Sequence, residues 1–464
     1  MDGLEIIEIS FAEYCQTYRL RLDSEYYLKQ FLANERFLNA EKTIKDFCVG
    51  NVQNIRNTPP DKPFNYLEIS NVSLDGLEYH PTEVDTQDIP DRATYVLQSG
   101  DIAVSTVRPN RNAVAFIRPM ESLVGTSGFT ILRVDKDKIS PHFLYVFCKT
   151  KHFVARLMRE NTATMYPAVS DYDVLNVPVP SFTKRFQKKI TDVIESAGQF
   201  LDNACNFYSS AESLLLSALG LSDFEPSQDP VAVKTLSESL GTSGRLDAEY
   251  YQKKYDDLFQ RLSGFKCAKL GGMVSIMKSI EPGSEYYSDE GVPFVRVSDV
   301  TKFGIRQPDI KIPASIGKSH LYPKRETILL SKDGTVGIAY KAEEDLTCVT
   351  SGALLHLTVK SDVLPDYLTL ILNSLVVQMQ AERDAGGSVI QHWKPSEIAE
   401  VVIPILDTQT QKRFSADVQR SFALRCRSEH LVEVAKQAVE TAIENGEKKA
   451  ISPLYILIEQ KENK

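Results

Sequence analysis

The chain moves between two hydrophobic rhythms, and it goes through the pair twice. A period of two governs Tyr66-Leu67-Glu68-Ile69-Ser70-Asn71-Val72 and Phe294-Val295-Arg296-Val297-Ser298-Asp299-Val300. Alternation of this kind predicts half-buried strands. Ile102-Ala103-Val104 and Thr327-Ile328-Leu329-Leu330 are short apolar runs and predict buried strands. Positions 141–158 and 365–382 carry an amphipathic helical pattern, each opened by a proline, Pro141 or Pro365, at or near the first helical position. The elements predict a mixed α/β (α+β) domain, present in two versions.

Beyond Pro180 the period lengthens. Ile190, Ile194, Ala197, Leu201, Ala204, Tyr208, Ala211, Leu215 and Ala218 step alternately by four and three. That is a heptad seam, which favours a partner helix over a lone surface helix. The matching positions beyond Pro404 are Phe414, Val418, Ser421, Arg425, Ser428, Val432, Ala435, Val439 and Ala442. This second seam is apolar at both ends and polar in the middle. Unequal partners, or a register shifted around Phe422 and Leu424, would each account for it. The expected mate of each long helix is the other one, antiparallel in a coiled coil. The pairing positions are Ile190, Ile194, Leu201 and Leu215 against Phe414, Val418, Val432 and Val439. A helix of about 38 residues at ~1.5 Å per residue reaches roughly 57 Å.

The doubling is visible residue by residue. Arg21-Leu22-Asp23-Ser24-Glu25-Tyr26-Tyr27 returns 224 positions later as Arg245-Leu246-Asp247-Ala248-Glu249-Tyr250-Tyr251. Thr126-Ser127-Gly128 returns as Thr350-Ser351-Gly352, Pro180 as Pro404, and Gln187-Lys188 as Gln411-Lys412. In between the offset drifts, to 228 for Ser70-Asn71-Val72 against Ser298-Asp299-Val300. Two small indels produce the drift. The chain is therefore an internal repeat, with a pseudo-two-fold relation expected between its copies. The expected organisation is a first strand-rich domain over 1–180, a long helix over 181–218 and a turn-rich linker over 219–240. A second domain over 241–404, a second long helix over 405–446 and a charged tail over 447–464 complete it. Two similar modules imply a target with two halves, or two partners.

Composition narrows the class. The chain has 464 residues, 42% apolar and 25% charged, which fits globular domains with real cores. No stretch approaches the ~18 apolar residues of a membrane span, and Met1 to Glu8 lacks the positive start of a secretory leader. Seven scattered cysteines form no C-x-x-C, so buried thiols in a reducing cytoplasm are expected. The formal net charge of −9 argues against a surface coated for non-specific nucleic-acid binding. It leaves room for a local positive surface.

Catalytic signatures are missing. Ile316-Gly317-Lys318-Ser319 resembles the end of a P-loop, but position 312, where the first glycine belongs, is Ile. Gly334-Thr335-Val336-Gly337 is too short for a dinucleotide fingerprint. Asn57-Thr58-Pro59-Pro60 departs from the Asn-Pro-Pro-aromatic loop of adenine methyltransferases by its extra Thr. Metal-ligand spacings are absent too. What remains are polar loops beside the strands. Copy one has Arg108-Pro109-Asn110-Arg111 where copy two has Lys332-Asp333-Gly334-Thr335. A second loop reads Asn161-Thr162-Ala163-Thr164-Met165-Tyr166 in copy one and Gly386-Gly387-Ser388-Val389-Ile390-Gln391-His392-Trp393 in copy two. Arg and Asn can read guanine and adenine edges bidentately; Lys, Ser and Thr suit phosphates. The candidate DNA-contacting residues are Arg108, Asn110, Arg111, Thr164 and Tyr166 in copy one. In copy two they are Arg296, Lys332, Thr335, Ser388, Gln391, His392 and Trp393. The scaffold is kept while these loops differ, as two readers of different sequences would.

At these residues the chain resembles the specificity subunit of Type I restriction-modification enzymes. The resemblance spans nearly the whole chain and rests on domain, long helix, domain, long helix. It rests further on Arg-Leu-Asp-Ala-Glu-Tyr-Tyr, Phe-Val-Arg-Val-Ser-Asp-Val, and Gly-Gly-Ser-Val-Ile-Gln-His-Trp leading into Glu-Ile-Ala-Glu-Val-Val-Ile-Pro-Ile-Leu and Thr-Gln-Lys-Arg-Phe. Copy one lacks the Gly pair and has Glu68 where copy two has Arg296. The family implies two target recognition domains, each reading half of a bipartite, asymmetric site in double-stranded DNA. It implies that the paired helices act as a spacer and a platform for two methyltransferase subunits. S-adenosylmethionine and ATP would then be bound by partners, the latter by a motor/nuclease subunit. The chain itself would carry no cofactor and no catalysis, in the cytoplasm. Two other readings stay open: the recognition subunit of a system whose methyltransferase and nuclease are fused, and a scaffold that binds only proteins.

Overall fold

The computed structural model describes residues 6–16, 20–50, 52–57, 60–161, 166–229, 231–387 and 390–451. Two compact units divide the chain, one made of 1–202 with 424–464 and the other of 203–423. The division cuts across the sequence copies. Each unit joins one strand-rich domain to a segment of each long helix, because a helix seam is buried only where a second helix covers it.

In the first unit, strand Phe64–Leu67 runs parallel to Leu123–Thr126 and antiparallel to Thr82–Val84. Strand Ile102–Ser105 lies between Val114–Phe116 and Phe129–Leu132, antiparallel to both. The second unit repeats this plan. Val292–Val295 runs parallel to Val349–Thr350, and Ile328–Ser331 lies between Ala339–Lys341 and Leu354–Val359. Both central strands are buried along their whole length, which explains their unbroken apolar sequence.

Two expected elements are shorter than their patterns. The alternating segments stop being strand at Leu67 and Val295 and pass into 3-10 turns, Ile69–Asn71 and Val297–Asp299. A polar residue ends each strand: Asn71 Oδ1 accepts the Glu68 N–H at 2.9 Å, and Asp299 Oδ2 accepts the Arg296 N–H at 2.8 Å. Side chains of this kind compete with the ladder for backbone donors. The helical segments at 141–158 and 365–382 are each two helices, Pro141–Lys149 with Lys151–Glu160 and Pro365–Leu372 with Leu375–Asp384. Both breaks fall at a repeat-equivalent hydroxyl. Thr150 Oγ1 donates to the Phe147 carbonyl and Ser374 Oγ to that of Ile371, each at 2.7 Å.

The long helices are Lys184–Ala218 and Thr408–Asn445. Within the first unit they run antiparallel. Thr183 Oγ1 meets Glu447 Oε2 at 2.5 Å, Ser428 Oγ donates to the Ala197 carbonyl at 2.8 Å, and Arg427 covers the Phe200 ring at 4.4 Å. In the second unit Ser421 Oγ donates to the Ala204 carbonyl at 2.7 Å, and Arg420 covers the Phe207 ring at 4.3 Å. Ile190, Ile194, Leu201, Leu215, Phe414, Val418, Val432 and Val439 are all buried. At the end of the first seam Ala218 is exposed, and Leu219 is buried in its place. The polar middle of the second seam needs neither unequal partners nor a shifted register. Ser421 and Ser428 face alanines, and buried Arg425 pairs with Glu78 inside the first unit. No described helix is long and apolar enough to cross a membrane.

Candidate functional site

Each central strand delivers a loop at its end, and each loop is pinned by the segment that precedes the closing strand. In copy one, the Arg108 N–H donates to the Pro167 carbonyl at 2.7 Å, and Val107 bridges Ala168. In copy two, the Gly334 N–H donates to the Gln391 carbonyl at 2.9 Å, and Asp333 bridges His392. These contacts join repeat-equivalent positions. The two loops singled out in each copy thus form one surface in each unit.

The backbone at this point is left-handed in both copies, with φ of 52° at Arg108 and 74° at Gly334. Glycine adopts that pose without steric cost, whereas a side chain incurs about 1–2 kcal/mol. Copy one nonetheless places an arginine there. Its guanidinium sits 4.8 Å from the ring of Tyr166, which is 56% exposed. Pro109–Arg111 forms a 3-10 turn, with Asn110 exposed and Arg111 half-buried. Asn112 is also left-handed, at φ 54°. Its side-chain amide donates to the Lys149 carbonyl at 2.7 Å, and Lys149 Nζ donates to the carbonyls of Leu74 at 2.6 Å and Asn112 at 3.2 Å. Burial pulls the Lys149 ammonium down to about 8. The loop is held from below by buried groups while Arg108, Asn110 and Tyr166 reach the surface.

Copy two offers different chemistry on the same frame. Asp333 lies between Lys332 Nζ and His392 Nδ1, the latter at 2.8 Å. Burial alone would raise the Asp333 carboxyl, but hydrogen bonds from Lys332 and His392 and their charge hold it below its ordinary value. Lys332 is therefore engaged by its neighbour. Thr335 and Gln391 are exposed, and His392 keeps 63% of its side chain exposed. Trp393 is a correction to the sequence reading. It is 1% exposed and packs in the main core of its unit, so it cannot stack on a base in this arrangement. Its backbone N–H donates to the Lys332 carbonyl at 2.7 Å, and the buried ring anchors the loop from inside. Arg296 lies on another element, the turn after Val292–Val295, with Nε 3.7 Å from Asp299. Among the described residues, its ion pair and backbone hydrogen bonds are with Asp299 and not with the loop pair. Thr164 and Ser388 lie outside the described residues.

Sequence reasoning passed over Arg21 and Arg245, which served only to mark the repeat. Both reach across the fold to the ends of the helices that lead into the second loops. The signal in the sequence is that the motif recurs with one change, Ser24 to Ala248, while the loops diverge. Among the described residues, no three His, Cys, Asp or Glu side chains gather as a metal site.

No protein-family model matches the chain, and no curated protein matches it. Among solved structures it is similar to the HsdS subunit from Thermoanaerobacter tengcongensis, at 20% identity over 87% of this chain and 96% of that chain, with a TM-score of 0.33. It is similar to a chain from the structural basis of complex assembly and conformational transition of the type I R-M system, at 20% identity, 87% and 97% coverage and a TM-score of 0.33. It is also similar to the Type-I restriction-modification system S subunit from M. genitalium, at 13% identity, 90% and 93% coverage and a TM-score of 0.32. TM-scores this low leave the function to the chain's own geometry.

Proposed function

We propose that this chain is the DNA-recognition subunit of a Type I restriction-modification complex. Its two strand-rich domains read the two halves of a bipartite, asymmetric site. Methyltransferase subunits and a motor/nuclease subunit dock on it, and they bring S-adenosylmethionine and ATP. The supporting observation is the loop pair: one hydrogen-bonded frame, Arg108 to Pro167 and Gly334 to Gln391, carries different side chains in the two copies. Copy one presents guanidinium and phenol groups beside Asn110, suited to guanine or adenine edges and to stacking. Copy two presents an amide, an imidazole and a hydroxyl, with its lysine already paired. Different donors on one frame give two readers with different preferences. The charge of −9 is compatible with this reading, because partner subunits would supply much of the phosphate contact.

The test is a swap. Residues 245–404 are replaced by 21–180, and methylated adenines are mapped in a host carrying the hybrid and its partner subunits. The expected site is a palindrome built from the first half twice. A well-assembled hybrid that still methylates the original asymmetric site would refute the two-reader function. Partners that assemble on the chain without any sequence-selective DNA binding would establish a protein-only scaffold instead.

A further inference from the structure

The repeated motif Arg-Leu-Asp-x-Glu-Tyr-Tyr performs the same task in both units. Arg21 makes a two-pronged contact with Asp23, Nε to Oδ1 at 2.7 Å and Nη2 to Oδ2 at 2.5 Å. Arg245 does so with Asp247 at 2.9 and 2.5 Å. Such a fork fixes the guanidinium plane. The remaining nitrogen then points one way. Arg21 Nη1 donates to the carbonyls of Glu160 at 3.1 Å and Asn161 at 3.0 Å, and Arg245 Nη1 to that of Asp384 at 2.9 Å. These are the last carbonyls of helices Lys151–Glu160 and Leu375–Asp384 and the residue that follows. They are groups a helix leaves unsatisfied and that favour a cation. The second tyrosine of each motif completes the clamp, with Tyr27 and Tyr251 hydroxyls donating to the carbonyls of Arg21 and Arg245 at 2.9 and 3.0 Å.

From the clamped carbonyl the contacts lead straight to the candidate reading loops. In the first unit, Asn161 Oδ1 accepts the Ala168 N–H at 3.0 Å, and Ala168 bridges Val107 beside Arg108. In the second, Gly386 lies two residues past Asp384 and exchanges backbone hydrogen bonds with His392, which bridges Asp333. The helix end therefore sets where each reading loop starts. We propose that Arg21 and Arg245 are positioning residues for sequence reading, each acting on the half-site of its own unit alone. This rests on the two-reader function above and adds the residues that hold each reader in register. It also explains why the motif is kept while the loops differ: the same hold serves any loop.

The test uses the complete complex with its partner subunits. Arg21→Lys and Arg245→Lys retain the charge and remove the fork. Methylation of duplexes carrying single mismatches in either half is compared with wild type. Arg21→Lys is expected to lower discrimination about tenfold in the first half-site and leave the second unchanged, with Arg245→Lys doing the reverse. Asp23→Asn and Asp247→Asn leave the arginines in place without their fork partner, and should show the same half-specific loosening, by a smaller factor. Equal loss at both half-sites, or no loss at either, would overturn the proposal, as would a fall in methylation of matched and mismatched duplexes alike, which is what local unfolding of one unit gives. If the wild-type complex discriminates at neither half-site, the two-reader function itself fails, which is a separate outcome.

Discussion

Ser428 donates its hydroxyl to the backbone carbonyl of Ala197 at 2.8 Å, and Ser421 donates to that of Ala204 at 2.7 Å. Ala197 and Ser421 are repeat-equivalent, as are Ala204 and Ser428. The two contacts are thus repeat-equivalent, one in each unit. Both serines are buried against alanine, so the helix axes approach closely there. Leucine at either serine should overfill the contact and destabilise by about 1–3 kcal/mol. Alanine should cost less, about 0.5–1.5 kcal/mol for the lost hydrogen bond. Thermal melts of Ser421→Leu, Ser428→Leu and the alanine pair give the order. An unchanged melting temperature for the leucine variants would show that the helices separate at no cost.

Arg108 occupies a pose that its counterpart Gly334 adopts freely. Arg108→Gly should relieve about 1–2 kcal/mol of backbone strain and lose roughly 0.5–1 kcal/mol of contact with Tyr166. Stability to denaturant should stay level or rise. Discrimination at the first half-site should fall while the second is untouched. A variant that reads the first half-site as well as wild type would show that the strain serves something else.

Trp393 and Gln391 should separate cleanly. Trp393→Ala opens the second unit's core and should cost about 3–5 kcal/mol. Trp393→Phe should keep the fold and the second half-site preference. Gln391→Ala, at an exposed position, should change stability by no more than about 0.5 kcal/mol and relax the second half-site. Methylation mapping and denaturant titration together check this. Full selectivity in Gln391→Ala would remove it as a reader.

His356 is buried in the second unit, with Nε2 2.8 Å from Thr350 Oγ1, and burial pulls its imidazole down to about 4. The unfolded chain takes up this proton near 6.5, so between 6.5 and 4 the unfolded state binds more protons than the folded one. The contribution is whole above 6.5 and is lost as pH falls towards 4, on the order of 3 kcal/mol. Trp393 is the only tryptophan and lies in the same unit, so its fluorescence reports the transition. His356→Gln should flatten the loss over that window. Parallel pH profiles for variant and wild type would contradict the assignment.

If the paired helices are the spacer, adding one heptad to both should lengthen the unspecified gap between half-sites. Insertion after Asp202 and after Ala423 leaves the contacts of Ala197 with Ser428 and of Ala204 with Ser421 within their units. Seven residues add ~10 Å of rise, about 3 base pairs at ~3.4 Å each. Methylation mapping should return both half-sites unchanged around a wider gap. The original gap in an assembled complex would mean that another element sets the spacing.

Periodicity and repetition are local properties, and the sequence by itself determined what depends on them. It revealed the duplication, the mixed architecture and the seam from Ile190 to Leu215, because burial on one helix face imposes its period on neighbouring residues. It also located both loops of each copy. Tertiary structure decided what depends on a partner distant in sequence. Ser421, Arg425 and Ser428 look like breaks in a seam until Ala204, Glu78 and Ala197 are brought opposite them. Trp393 has the composition of a reader, yet it faces the core, because loop polarity does not fix which way one ring turns. Arg21 and Arg245 meet helix ends more than a hundred residues away. A hydrogen bond across such a separation leaves no period in the sequence, so only the folded chain shows what the repeated motif holds.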